Sequence, residues 1–196
     1  MTYNCMIAGV GGQGSVLASR LVAEAAMRRG CDVRTTETIG MAQRGGSVVS
    51  HVRIGDSSTV HSPLIPPGKA HALIAFEPAE AVRQLPFLAD GGKLIVCDSA
   101  VMPVAGALSG QTYNARTVIA YIKSKYPKAL IINGQPLRAY SAKTLNVALL
   151  GAAAQAGAFP FGAGELLAIV SEMARYREQN IKSFEMGMAE AQKSLQ

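Results

Sequence analysis

Residues 3–14 read YNCMIAGVGGQG, an apolar run that leads directly into a group of glycines. Such a run is typical of a buried β-strand that ends in a tight turn. Residues 14–29 follow with an alanine-rich helix pattern, and Gly30 is a typical glycine at a helix C-terminus. The stretch therefore predicts a strand, a glycine turn and a helix at the start of the fold.

The next half of the chain alternates between short apolar runs and helix patterns. A helix is predicted to begin at Glu77-Pro78, and another to cover 117–125. The predicted strands cover 32–36, 48–54, 70–76, 93–97 and 129–132. Because parallel strands need crossover connections, this order predicts an α/β fold with a doubly wound, mostly parallel, Rossmann-like sheet.

The last third of the chain has helical patterns only. The predicted helices cover 142–156, 164–173 and 176–195. In the last helix, apolar residues recur at spacings of 3 and 4, at Ile181, Phe184, Met188, Ala191 and Leu195. Such a seam usually packs on its own domain, and a partner helix is the alternative. With no linker in the chain, we expect one domain over 1–196, Rossmann-like over 1–135 with a helical extension over 136–196 packed on it.

The net charge of +6 is concentrated in one part of the 196-residue chain. Residues 99–164 contain no acidic side chain but six basic ones: Arg116, Lys123, Lys125, Lys128, Arg138 and Lys143. This stretch is either a solvated basic face or a surface for an anionic ligand or an acidic partner. Nucleic acid is disfavoured because aromatic content is 6%, there is no Trp, and no nucleic-acid motif occurs.

Composition also bears on location and metal binding. The sequence shows neither a signal-peptide pattern nor an apolar run long enough to span a membrane, so we expect a cytoplasmic protein with no membrane partner. The three cysteines, Cys5, Cys31 and Cys97, are expected to be free thiols. No metal-ligand motif is present, so no metal site is predicted.

The first candidate site is the loop Gly9-Val10-Gly11-Gly12-Gln13-Gly14, which fits GxGxxG between a strand and a helix. Glycines let a backbone approach a ligand closely, and a helix N-terminus favours an anion. A dinucleotide site also needs an acidic residue about 20 positions further on, where Glu37 is available. The alternative is that the glycines only allow the helix to pack on the sheet.

The second candidate site is the loop that contains Gln43, Arg44, Gly45, Gly46 and Ser47. The Arg44 guanidinium is suited to a carboxylate or phosphate, and the two glycines can bring backbone N–H groups close to the same anion. The alternative is an ion pair between Arg44 and Glu37 that holds the loop. No catalytic residue is predicted in either loop.

Together the two loops resemble a known family. GVGGQG at 9–14 and GMAQRGGSVVSH at 40–51 resemble the gamma-type domain of 2-oxoacid:ferredoxin oxidoreductases, and QRGGSV resembles its indolepyruvate branch. The resemblance implies a complex that oxidatively decarboxylates aryl-2-oxoacids, uses coenzyme A as co-substrate and reduces ferredoxin. It also implies thiamine diphosphate and iron–sulfur clusters. This chain has neither the cysteines nor a thiamine motif for them, so a large partner subunit is expected to carry both cofactors.

Two other functions fit part of the sequence. A self-sufficient NAD-binding dehydrogenase explains the glycine loop and Glu37 but leaves the Arg44 loop unexplained. A regulatory nucleotide-binding module without chemistry is the third possibility.

Overall fold

A computed structural model describes residues 2–39, 46–102, 113–173 and 175–195. Its strands are β1 Tyr3–Val10, β2 Asp32–Ile39, β3 Ser47–Gly55, β4 Ala70–Ala75, β5 Leu88–Cys97 and β6 Leu130–Ile132. Its α-helices are α1 Ser15–Arg28, α2 Pro78–Gln84, α3 Ala115–Lys125, α4 Gly134–Ser141, α5 Leu145–Gln155, α6 Ala163–Met173 and α7 Arg177–Leu195. The sequence pattern predicts each of these elements except α4.

Three predicted boundaries differ from the structure by three residues or more, and one of them is the end of β2, which lies at Ile39 rather than at 36. The helix predicted over 142–156 begins at Leu145, because Ala142–Thr144 form a 3-10 turn after α4. Strand β5 begins at Leu88 rather than 93, and its first residues cover the polar, glycine-containing stretch 89–92, which lacks the apolar pattern of a buried strand.

The six strands form one sheet in the order β2-β3-β1-β4-β5-β6. Strands β1, β4, β5 and β6 pair in parallel, whereas β3 is antiparallel to both β1 and β2. The sheet is thus mostly parallel, as predicted, with β3 alone running in the opposite direction. A strand inserted between β1 and β2 is not visible in the alternation of apolar runs, because such a run predicts a strand without indicating which strands become its neighbours.

Apolar cores lie on both faces of the sheet. On one face, the larger core contains residues of α1, α4, α5, α6 and α7 together with β-strand residues such as Ile7 and Ile74. On the other face, the smaller core includes Leu73 of β4, Ala81 of α2 and Ile122 of α3. Helices on both faces are what a doubly wound sheet requires.

The C-terminal helix α7 packs on α5 within the same chain. Phe184 and Ala191 of the predicted seam are buried, Ile181 and Met188 are half-buried, and the exposed fraction of Leu195 is 56%. The prediction that most of the seam packs on its own chain is therefore confirmed for its central part. The buried face of α7 does not coincide with the apolar seam, because it also includes the small or polar residues Asn180, Ser183 and Gly187.

Polar side chains link strands β1, β3 and β4 to one another, and one of them also binds the segment that connects β3 with β4. The Asn4 backbone N–H donates to His71 Nδ1 at 3.0 Å, and Arg53 Nε donates to Asn4 Oδ1 at 3.0 Å. The neighbouring His51, 5% exposed, accepts a hydrogen bond at Nδ1 from the Ile65 N–H at 3.3 Å. Burial lowers the pKa of His51.

The lowered pKa of His51 predicts a loss of stability in acid. Because the folded pKa lies below the unfolded value of about 6.5, the neutral form's contribution is present above that value and is lost as the pH falls from there through the folded pKa. His51→Asn keeps an acceptor for the Ile65 N–H but cannot titrate. We expect this variant to have a flatter pH dependence of the free energy of unfolding between about pH 7 and 5 in urea melts. The control is His61→Asn at an exposed position; equal slopes for the two variants would contradict the assignment.

Candidate functional site at the carboxyl edge of the sheet

The glycine loop lies at a topological switch point of the sheet. The chain leaves β1 through α1 toward β2 on one side, whereas β4 is followed by β5 on the other side. In open α/β sheets, ligands bind at the carboxyl ends of the strands at such a point. The loop joins β3 as well, because the Gly11 N–H donates to the Gly46 carbonyl at 2.8 Å. The predicted positions 9–14, Gly46 and Ser47 are therefore brought together.

The Gln13 side chain bridges the ends of β1 and β4. Its Oε1 accepts from the Val10 N–H at 2.8 Å, and its Nε2 donates to the Phe76 carbonyl at 3.1 Å. A Cβ on Gly9 would lie 2.8 Å from Gln13 Oε1, so only glycine leaves room for this amide. The side chain of Gln13 is thus committed within the chain, and the loop can offer a ligand or partner mainly its backbone.

The N-terminus of α1 remains open beside this bridge. Gly14 begins the helix with φ +78°, and no side chain caps it. Gly12 has φ +97° and no neighbour within 4 Å of an added Cβ, so another molecule could approach it closely. A cleft of about 160 Å³ lies beside the loop, and its lining includes Gly12, Arg138 and Asn146. Asn146 is 4% exposed and donates through Nδ2 to the Gly14 carbonyl at 3.2 Å.

Glu37 does not occupy the place that a dinucleotide site needs. It lies on β2, and its register partner Ser50 on β3 is in turn paired with Ile7 of β1. With strands about 4.8 Å apart, β2 lies roughly 10 Å from β1. The Glu37 Oε1 instead accepts from Ser19 Oγ of α1 at 3.4 Å. The inserted strand therefore weighs against the NAD-binding alternative.

Two buried carboxylates connect Ser47 and Tyr113 to the start of α2. Glu80, 2% exposed, accepts from Ser47 Oγ at 2.6 Å and also pairs with Arg83. Glu77, 1% exposed, accepts from the Glu80 N–H at 3.0 Å and from the Tyr113 hydroxyl. Burial and the hydrogen bond to Glu77 raise the pKa of Tyr113. The two carboxylates therefore attach two separate segments of the carboxyl edge, at Ser47 and at Tyr113, to the short helix α2.

The structure leaves part of the second predicted loop undescribed. Gln43, Arg44 and Gly45 lie outside the described residues, so both the anion-binding role of Arg44 and its alternative, an ion pair with Glu37, stay predictions. Sequence reasoning missed Glu77, Glu80, Tyr113 and Asn146, and it named Arg138 only as part of the basic stretch. A signal exists for the first two, since an acidic residue before Pro at a helix start, with Glu three positions later, resembles a capping box. No comparable pattern marks Tyr113 or Asn146.

The cysteines do not form a site for an iron–sulfur cluster. Cys5 lies on β1 and Cys97 on β5 with β4 between them, and Cys31 immediately precedes β2. Burial raises the pKa of Cys5 to about 12 and also raises the pKa of Cys97, which opposes thiolate ligation. Among the described residues, no group of three or more His, Cys, Asp or Glu side chains could hold a metal ion.

No helix in the described ranges is both long and apolar enough to cross a membrane.

Solved structures with the same fold are chains of 2-oxoacid oxidoreductases. The gamma subunit of a keto/oxoacid ferredoxin oxidoreductase from Geobacter sulfurreducens aligns with a TM-score of 0.65 and 22% identity, covering 97% of this chain and 99% of that one. Pyruvate oxidoreductase subunit PORC from Thermotoga maritima gives a TM-score of 0.63 at 17% identity, with 98% and 96% covered. The fold is therefore that of the gamma-type chains.

Sequence comparison assigns the family. The family model for pyruvate ferredoxin/flavodoxin oxidoreductase matches residues 4–190, and the chain belongs to this family. Indolepyruvate oxidoreductase subunit IorB of Archaeoglobus fulgidus is 36% identical, with 97% of this chain and 96% of that protein covered. IorB of Pyrococcus horikoshii is 35% identical, with 98% of each covered. The resemblance seen in the two loops is thus confirmed over almost the whole chain.

Proposed function

We propose that this chain is the subunit of an indolepyruvate:ferredoxin oxidoreductase that itself carries no thiamine diphosphate or iron–sulfur cluster. The complex would oxidatively decarboxylate indolepyruvate or other aryl-2-oxoacids to the acyl-coenzyme A and reduce ferredoxin. The observation that carries the proposal is the similarity to IorB proteins over nearly the full length of both chains. The scattered cysteines, of which Cys5 and Cys97 are buried, support placing the clusters on a large partner subunit.

We further propose that the carboxyl edge is where this subunit meets its partner or an anionic ligand. The surface would comprise the loop 9–14 and the segment with Glu37, Gln43, Arg44, Gly45, Gly46 and Ser47. Support comes from the uncapped α1 N-terminus, the open backbone at Gly12 and the adjoining cleft. The buried link from Glu80 to Ser47 would hold one end of the second loop in position.

The chain would act as a single domain over 1–196, with the helical extension over 136–196 packed on a Rossmann-like part over 1–135. One apolar core supports this proposal, because it contains Ile7 and Ile74 of the sheet as well as Leu149 and Phe184 of the extension.

Purification of the subunit with and without its partner tests the proposed function. The isolated chain should be colourless, free of iron and thiamine diphosphate, and inactive with indolepyruvate and a viologen dye. Adding the large subunit should give dye reduction that depends on indolepyruvate and coenzyme A, because the reaction needs a thiamine ylid and one-electron carriers. The NAD alternative would instead produce tight NAD binding and hydride transfer by the chain alone. Stoichiometric iron, or substrate-dependent dye reduction by this chain alone, would refute the proposal.

A further inference from the structure

Helix α3 is the least covered of the helices in the described ranges. It buries one of its eleven residues, Ile122, against the smaller core. Helical spacing places Arg116 and Lys123 on one side of its outward surface and Tyr121 with Lys125 on the other, and the exposed fraction of Tyr121 is 47%. An exposed aromatic side chain on a surface edged by cations is available to another molecule.

The basic side chains on and after this helix are not neutralised by the chain itself. Arg116, Lys123, Lys125 and Lys128, which we call the α3 cationic face, are all exposed, and none forms an ion pair within the described residues. Several exposed cations elsewhere have ion-pair partners, although Arg20, Arg34 and Lys69 have none within the described residues. Arg28 pairs with Glu24 and Glu172, Arg29 with Glu165, and Lys193 with Glu190. Four uncompensated like charges repel each other, so this face is not explained by the stability of the subunit alone.

The shape and chemistry of this face indicate the kind of molecule that binds there. Small anions such as coenzyme A phosphates bind in concave sites, whereas a helix face is convex. Permanent subunit interfaces are large and depleted of charge at their core, whereas electron-transfer encounters are small. A limited apolar surface adjoins the cations, because Lys128 lines a cleft of about 250 Å³ together with Leu94, Leu130 and Leu195.

We infer that the α3 cationic face is a docking surface for an acidic electron-carrier protein of the ferredoxin type. The inference rests on the proposed function, since a ferredoxin is the expected electron acceptor of the complex. Its cations would attract the carrier at long range and orient it, which raises the association rate more than the affinity of the final complex. Tyr121 would give the encounter a fixed contact.

The test is a triple charge reversal, Lys123→Glu, Lys125→Glu and Lys128→Glu, in the assembled complex. With indolepyruvate as substrate and an acidic two-cluster ferredoxin as acceptor, we expect the KM for ferredoxin to rise about tenfold or more at low salt. The fall of kcat/KM with ionic strength between about 20 and 300 mM should be lost or inverted, because the charge reversal replaces attraction of the acidic carrier by repulsion, which salt screens. Turnover with methyl viologen, a small acceptor that needs no docking surface, should be unchanged.

A matched control separates a local effect from a change in net charge. Arg20→Glu, Arg34→Glu and Lys69→Glu alter the same total charge at three exposed positions outside the basic third of the chain. This variant should keep the wild-type KM for ferredoxin. Equal losses in both variants, or an unchanged KM and salt response in the α3 variant, would overturn the inference. A selective loss of duplex DNA binding in the α3 variant, with ferredoxin kinetics intact, would overturn it as well.

Direct binding keeps this test independent of the proposed activity. Ferredoxin binding to the wild-type subunit and to both triple variants can be followed by calorimetry at low salt. Weakening in the α3 variant alone supports the docking surface even if the complex oxidises no 2-oxoacid. If every variant kept dye-linked turnover and all of them bound ferredoxin equally, the proposed docking surface would be refuted. The proposed function would then still hold.

Discussion

Gly187→Ala should lower the free energy of unfolding by about 3 kcal/mol, because it forces two helix backbones apart. An ideal Cβ at Gly187 of α7 would lie 1.7 Å from the Ala148 carbonyl oxygen of α5 and 2.6 Å from its carbon. On the other helix, a Cβ at Gly151 would lie 2.1 Å from the Phe184 carbonyl oxygen. Both obstacles are backbone atoms in the packed core, which cannot move as a flexible side chain can. Differential scanning calorimetry should show a melting temperature lower by roughly 10 °C.

The control for this prediction is the same substitution in an open position. Gly164 lies in α6, and no atom is within 4 Å of an added Cβ there. Gly164→Ala should raise stability by up to about 1 kcal/mol, because alanine has the higher helix propensity. If Gly187→Ala were as stable as Gly164→Ala, the close contact between α5 and α7 would not exist in solution.

Gln13→Met should destabilise the protein by roughly 2–5 kcal/mol and weaken assembly with the partner subunit. Methionine has a similar shape but leaves the Val10 N–H and the Phe76 carbonyl without their hydrogen bonds. Each buried backbone group without a partner costs about 1–3 kcal/mol. The loss of the bridge also frees the glycine loop from β4, so the geometry of the proposed interface changes. Urea unfolding and co-purification with the large subunit measure the two effects separately.

Gln13→Glu provides the sharper control, because its effect depends on pH. A carboxylate can still accept from the Val10 N–H but repels the Phe76 carbonyl, whereas the protonated carboxyl can donate to it. The pKa of the new carboxyl should therefore be raised in the folded state. Relative to wild type at the same pH, the variant should be least destabilised below about pH 4 and should lose stability as the pH rises through the raised pKa. A pH-independent difference would contradict the bridge.

Local patterns were sufficient to predict the family and every strand and α-helix except α4. The apolar run that ends at Val10 and the glycines after it predict β1 and the turn, because a buried strand and a positive φ each restrict the residues allowed. The two loop motifs at 9–14 and 40–51 indicate the family because together they resemble its sequence pattern. The charge excess over 99–164 is a property of the sequence alone, and it directs attention to α3 without indicating its exposure.

By itself, then, the sequence determined the order of strands and helices, the candidate loops and the absence of a four-cysteine cluster motif. The tertiary structure alone decided that β3 separates Glu37 from β1, that Gln13 is committed to Phe76, and that Gly187 meets Ala148. Each of these depends on residues between 39 and 63 positions apart, or on which strands become neighbours. Local propensity carries no information about such contacts, since they are fixed only when the sheet order and the packing of the helices bring the backbones together.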